Sequence, residues 1–297
     1  MAGRKLENTA HGAAWLRGSL IGRGGFGSVY LSTLKQPLSS FPSTMGEVLN
    51  NLKGCSYIIQ CFGGEITMNE KGDKFYNLLL EHASGGSLAK LIRKSGGLGL
   101  PESKVRRYTK CILCGIKHIH QMGYAHLDLK PANILLAPQE SGSSSELIAK
   151  ICDFGLAKRV ESTKKNKFLE GTATYISPEA VVQGIQEAPS DIWALGCVVL
   201  EMLTGKRIPD SISDEGKEFL KACFVRKAED RLTAEKLNLP FVAQLNDWQD
   251  AGPSTHSWGQ FCLRHVGDVP SCSSLSSTSE NEDDSEGDGS ALDSAQE

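Results

Sequence analysis

A chain of 297 residues with 40% hydrophobic and 23% charged residues has the composition of an ordinary soluble protein, long enough to bury one large or two small cores. A formal net charge of −3 describes no global basic surface, so neither nucleic acid nor an anionic membrane is an expected partner. The N-terminal stretch lacks the apolar core of a secretory signal and no run approaches the ~18 apolar residues of a membrane span, which predicts a cytoplasmic or nuclear protein that is not secreted.

In chain order, residues 1–14 read as an extension. Residues 15–34 then read as a strand, a glycine-rich turn and a second strand in which Val29, Leu31 and Thr33 alternate. Thr44 and Glu47 have capping-box spacing ahead of Val48, Leu49 and Leu52, which predicts a short helix. Residues 56–63 and 74–83 bracket a polar turn and predict an antiparallel pair. After Gly85 and Gly86 the apolar spacing becomes helical, over 102–122, 190–203 and 215–225. A small β lobe (15–84) thus precedes a larger helical lobe (85–242).

Residues 243–297 are rich in serine and acid, with no Lys or Arg beyond Arg264, and are expected to form a disordered tail. Trp258, Phe261 and Val266 within it read as a docking segment or as a partly collapsed linker. The odd count of nine cysteines suits reduced thiols better than a disulfide framework. Cys111 and Cys114 share a helix face, and with no second ligand pair they read as core packing rather than a metal or redox site.

Four motifs carry chemistry. In the turn from Ile21 to Val29, glycines at 22, 24, 25 and 27, with Phe26 between, let backbone N–H groups approach phosphates closely. The turn lies between two strands, which argues against a dinucleotide fold. Next come His126-Leu-Asp128-Leu-Lys130-Pro-Ala-Asn133, then Asp153-Phe-Gly155 after a strand-like run, then Ser177-Pro-Glu179 downstream of Gly171-Thr172-Ala-Thr174.

In this order, over roughly residues 15–242, the set resembles the protein kinase family, and its phrasing is similar to plant-type mitogen-activated protein kinase kinase kinases. The resemblance implies an α+β, two-lobed fold and transfer of the ATP γ-phosphoryl group to protein serine or threonine, with Mg²⁺, on a protein substrate such as a MAP kinase kinase. It implies that Asp128 orients the substrate hydroxyl and accepts its proton, that Lys130 faces the transferred phosphate, and that Asn133 and Asp153 hold Mg²⁺. It further implies a nucleotide site of Ile21, Gly22, Gly24, Gly25, Phe26, Gly27 and Val29, the hinge residues Glu81 and Ala83, and Leu135. Glu179 would pair with Arg231.

The chain also departs from that pattern. Kinases carry a phosphate-gripping lysine on a third strand, and here that strand has no counterpart, leaving the β lobe incomplete. Lys35 is the only lysine between Val29 and Leu52, and six residues of strand put it roughly 20 Å beyond Val29. Met45 falls where the partner glutamate would be. The stretch after Arg207 is too short for a helix that kinases carry there. Leu127 replaces an arginine that would bind a loop phosphate, so activation is expected not to depend strongly on phosphorylation of Thr172 or Thr174. A second reading therefore stands beside the active kinase: a pseudokinase or scaffold.

Overall fold

In the computed structural model, which describes residues 14–24, 27–36, 38, 40, 41, 43–139, 147–160, 169–205 and 212–243 and the backbone of 260–267, the first hairpin pairs β1 (Trp15–Gly24) with β2 (Gly27–Leu34). Its register runs from Trp15 opposite Leu34 to Gly24 opposite Gly27, whose φ of +127° is open to glycine at no steric cost. Gly25 and Phe26, assigned above to the phosphate turn, lie outside the described residues, as does the shortened stretch at 206–211.

The short helix is α1 (Thr44–Asn51), but its cap is Ser43, not Thr44: the Ser43 hydroxyl accepts from the Gly46 N–H at 3.2 Å, and Glu47 sits in the first turn. The antiparallel pair is β3 (Cys61–Met68) with β4 (Lys74–Glu81). Of the residues expected as the start of that strand, Gln60 still accepts from the Glu81 N–H of β4 (2.9 Å), but those before it bond elsewhere. Ile59 N–H donates to the carbonyl of Ile151 (2.9 Å) and Ile151 N–H to that of Tyr57 (2.8 Å), which ties the small lobe to the large one.

The main correction concerns the expected gap in the β lobe and the disordered tail. The connection after β2 crosses directly to the β3 edge, where Ser40 and Gly64 form a bridge. The position between β2 and β4 is filled instead by β9 (Gln260–Gly267), antiparallel to both, and the sheet order is β1-β2-β9-β4-β3. The physical reason is that β2 and β4 would otherwise present unpaired ladder edges at the centre of a sheet, and the backbone N–H and C=O groups of 260–267 pair with both.

The sheet has two apolar faces. Leu79 packs with Ala14 and Trp15 on one, while Leu78 joins Val48, Leu49 and Leu52 of α1 on the other, in a cluster that continues into the helical lobe.

That lobe comprises α2 (Leu88–Lys94), α3 (Glu102–Gln121), β5 (Tyr124–Ala125), β6 (Ile134–Pro138), β7 (Leu147–Ile151), β8 (Lys158–Arg159), α4 (Pro178–Gln183), α5 (Ala188–Thr204), α6 (Asp214–Cys223) and α7 (Pro240–Ala243). Along α3, Val105, Tyr108, Ile112, Ile116 and Ile119 recur at three- and four-residue steps and are all buried. Pro101 gives that helix no side-chain cap. Burial at about 1.5–3 kcal/mol per large apolar side chain outweighs the ~1 kcal/mol a cap contributes. Cys111 is a free thiol in this core, and burial pushes its pKa up to about 12, as suits packing rather than redox or metal chemistry.

The lobes join at Gly85, whose N–H donates to the Leu136 carbonyl on β6 at 2.9 Å. A Cβ there would lie 2.7 Å from that same backbone oxygen and from Leu147 Cδ1. Gly85→Ala should therefore push the hinge off β6 and cost about 1–3 kcal/mol, read as a lower melting temperature. An unchanged melting temperature would mean that the hinge does not clamp the lobes.

Candidate active site

The loop between β5 and β6 is shaped by a carboxylate from another element. Asp191, in the first turn of α5 and 1% exposed, accepts the backbone N–H groups of His126 and Leu127, each at 2.9 Å, and pairs with His120 Nε2 at 2.9 Å. Burial alone would push this carboxyl up; the His120 hydrogen bond, the nearby imidazoles and the His126 amide outweigh it and hold the pKa below its ordinary value. The two amides clasp a turn in which Leu127 has φ +65°, costing roughly 1–2 kcal/mol for a non-glycine residue. Leu127 itself is buried. His126 Nδ1 accepts from the Asp128 N–H (3.3 Å), which leaves the ring proton on Nε2 to donate to the Cys152 carbonyl (3.0 Å), while the edge of the ring packs on Phe154. The loop is thereby fastened to the residues before Asp153.

On this platform Asp128, Lys130 and Asn133 are brought together. Asn133 Nδ2 donates to the Asp128 backbone carbonyl (2.9 Å) and to its Oδ2 (3.0 Å). Lys130 Nζ pairs with the same Oδ2 at 2.9 Å. Thr172 Oγ1 donates to Asp128 Oδ1 (2.9 Å) and accepts from Lys130 Nζ (2.8 Å). Sequence reasoning marked Thr172 only as a phosphorylation candidate. Its hydroxyl is in fact the link between acid and cation, and it is half-buried, whereas Thr174 is exposed.

Thr174→Ala should then leave phosphotransfer within about twofold, while Thr172→Ala lowers it about tenfold or more, the worth of a hydrogen bond to charged groups, with Thr172→Ser restoring it. Loss of transfer in Thr174→Ala would show instead that loop phosphorylation is required.

Asp153 follows β7 with φ +65°, and the preceding Cys152 N–H donates to the Asn133 carbonyl at 2.9 Å, placing the two expected metal ligands on adjoining segments. The Asn133 amide nitrogen is committed to Asp128, so its oxygen is what it offers a cation. Two oxygen ligands with phosphates and water suit Mg²⁺, and no cluster of three or more His, Cys, Asp or Glu among the described residues competes for it.

Above the loop, Ile21, Gly22, Gly24 and Gly27 line the hairpin; Gly22 stands opposite Val29, and a Cβ on it would meet nothing within 4 Å. At the hinge, the Glu81 side chain is taken by Lys150 (2.6 Å), leaving only backbone for a base, and the Ala83 carbonyl accepts from Gly86 (3.2 Å). Leu135, half-buried on β6, bridges Ser87. In the helical lobe, Glu179 and Arg231 meet in a two-point pair at 2.8 and 3.0 Å.

A glycine-turned hairpin over a buried acid, a lysine and two oxygen ligands defines an enzyme that holds a nucleotide and aligns a hydroxyl with its terminal phosphate. Residues 46–210 match the protein kinase domain, and the chain belongs to the protein kinase family. It is a serine/threonine protein kinase that uses ATP with Mg²⁺. It is 39% identical over 274 positions to mitogen-activated protein kinase kinase kinase 20 of Arabidopsis thaliana, covering 77% of this chain and 78% of the relative. It is 33% identical to kinase kinase kinase 18 of the same plant, covering 77% of each, and 32% identical to number 17, covering 78% of this chain and 70% of the relative. An alignment of 274 positions that takes in only 77% of 297 residues passes through positions this chain lacks.

Proposed function

We propose that this kinase phosphorylates serine or threonine hydroxyls of a MAP kinase kinase, acting in the cytoplasm or nucleus without a nucleic-acid or membrane partner. The observation that carries the reading is the closed network of Asp128, Lys130, Asn133 and Thr172, together with relatives named for that step. In this reading Asp128 Oδ accepts the proton of the incoming hydroxyl, and Lys130 neutralises charge as the phosphoryl group passes to it. Asn133 and Asp153 would hold Mg²⁺, which would supply positive charge to screen the phosphates. The scaffold alternative drew on a missing central strand, and the small lobe contains a strand at that position.

The net charge of −3 supports a freely diffusing enzyme, and no helix among the described residues is long and apolar enough to cross a membrane. Labelled ATP offered with a panel of inactive MAP kinase kinases and with a generic basic protein tests the assignment. Transfer to a kinase kinase on serine or threonine is expected; label only on the generic protein would sink the substrate assignment while leaving kinase activity intact.

A further inference from the structure

A buried ion pair joins the hinge to the strand that leads into Asp153, and the chemistry described so far makes no use of it. Lys150 on β7 is 3% exposed, and its Nζ meets Glu81 Oε1, at the end of β4, at 2.6 Å. Lys150 stands opposite Leu135 and so shares a face of the β6–β7 pair with that residue of the nucleotide site.

Both partners are fixed from behind. Glu81 Oε2 accepts the Gln60 N–H at 3.2 Å, and the Glu81 N–H donates to the Gln60 carbonyl at 2.9 Å. The Gln60 side-chain amide in turn donates to the carbonyls of Cys55 (3.0 Å) and Ile58 (3.1 Å). On the other side, each residue between Lys150 and Asp153 is tied through its backbone: Ile151 N–H donates to the Tyr57 carbonyl (2.8 Å) and Cys152 N–H to the Asn133 carbonyl (2.9 Å). Asp153 then adopts φ +65°, a conformation that a non-glycine residue keeps only where its surroundings impose it. A short run of bonded backbone thus leads from the ammonium to the metal-binding carboxylate. Charges paired at this depth are costly to separate, which gives the pair one arrangement. That arrangement sets the spacing between the hinge backbone, which takes the base, and Asp153, which takes the metal on the phosphates. One covalent frame joins base and phosphates, so both ends are gripped together only when the spacing is right.

We infer that Lys150 is a positioning residue: through Glu81 it holds Asp153 at the distance from the hinge that a Mg²⁺-bound nucleotide requires. The inference rests on the kinase reading of the cleft. The pair holds neither base nor metal itself and acts through the two segments it joins.

The test measures binding to the full chain by calorimetry, with adenosine and with ATP in the presence and absence of Mg²⁺. In wild type, Mg²⁺ should tighten ATP binding about tenfold or more. Lys150→Met should bind adenosine within about threefold of wild type but keep a Mg²⁺ gain of no more than about threefold, as expected on losing a partner that orients a metal ligand. Lys150→Arg, which retains the pair, should keep the gain. Because Lys150→Met leaves the Glu81 carboxylate buried and unpaired, Glu81→Gln is added to it; the double variant should regain the wild-type melting temperature yet still lack the gain. A gain restored along with stability in the double variant assigns the pair to folding alone and overturns the positioning role. So does a wild-type gain in Lys150→Met, or adenosine binding lost in both variants, which would mean that the hinge itself has collapsed. Asp153→Asn is the control for the metal site. If it loses the gain while Lys150→Met keeps it, the inference falls and the kinase site stands; if it keeps the gain, the metal site falls and the inference with it.

Discussion

Asp128→Asn should reduce turnover by a factor of about 10²–10⁴, the usual worth of a positioned general base, while Mg²⁺-ATP binding changes by no more than about threefold. The separation follows from the geometry. Asn keeps the side-chain volume at a site 6% exposed, and one oxygen can still accept from Thr172, so the loop holds its shape. What disappears is the negative charge facing Lys130 and the ability to take a proton. The phosphates and their metal are held by Asn133, Asp153 and the hairpin, and Asn133, though it loses its bond to the Asp128 carboxylate, keeps the one to that residue's backbone carbonyl. A steady-state assay with calorimetry on the same sample decides the matter, and turnover within a factor of five of wild type would remove Asp128 from the chemistry.

Arg231→Met should lower stability by about 3–5 kcal/mol, or on the order of 10 °C in melting temperature for a domain of this size. The Arg231 side chain is fully buried and that of Glu179 is 6% exposed; besides the two bonds between them, Arg231 donates to the carbonyls of Pro189 (2.7 Å) and Val225 (2.9 Å). Removing the cation strands a carboxylate inside the protein, so Glu179→Leu in the same chain should recover much of the loss. Burial alone would raise the Glu179 pKa, but the Arg231 hydrogen bonds hold it below its ordinary value. That contribution is present above the unfolded carboxyl's pKa and is lost as pH falls through the folded one, so the gap between wild type and Arg231→Met should shrink in acid. A melting temperature within two degrees of wild type at neutral pH would show that the pair is dispensable.

The helical lobe was legible in the sequence because its signals are local. The three- and four-residue apolar steps of α3 declare a helix within one window, and the loop motif at 126–133 names its own chemistry. Thr172 was less legible because its partner Asp128 is distant in sequence, and a hydroxyl carries no periodicity. Asp191 could have been found: an acid in the first turn of α5, a helix apolar on nearly every side, needs something to hold. The strand β9 was hidden for a different reason. Eight residues of modest alternation inside a serine-rich acidic stretch look like linker, and only the vacancy between β2 and β4, a three-dimensional fact, tells them from one.

The position of β9 also bears on how the enzyme is made. Val29 and Arg264 are neighbours in the sheet but are synthesised far apart, with the whole helical lobe between them. At about 5–20 residues per second, a ribosome finishes β4 roughly 10–40 s before it reaches β9. Through that interval β2 and β4 face each other as open edges, the kind of template on which nascent chains mispair, and closure must await a contact of very long sequence separation. The helical lobe can pack while translation continues, whereas the small lobe must wait for its central strand. Folding of the two halves is thus out of step because of the chain order, and the open edges persist longest where the nucleotide will later sit.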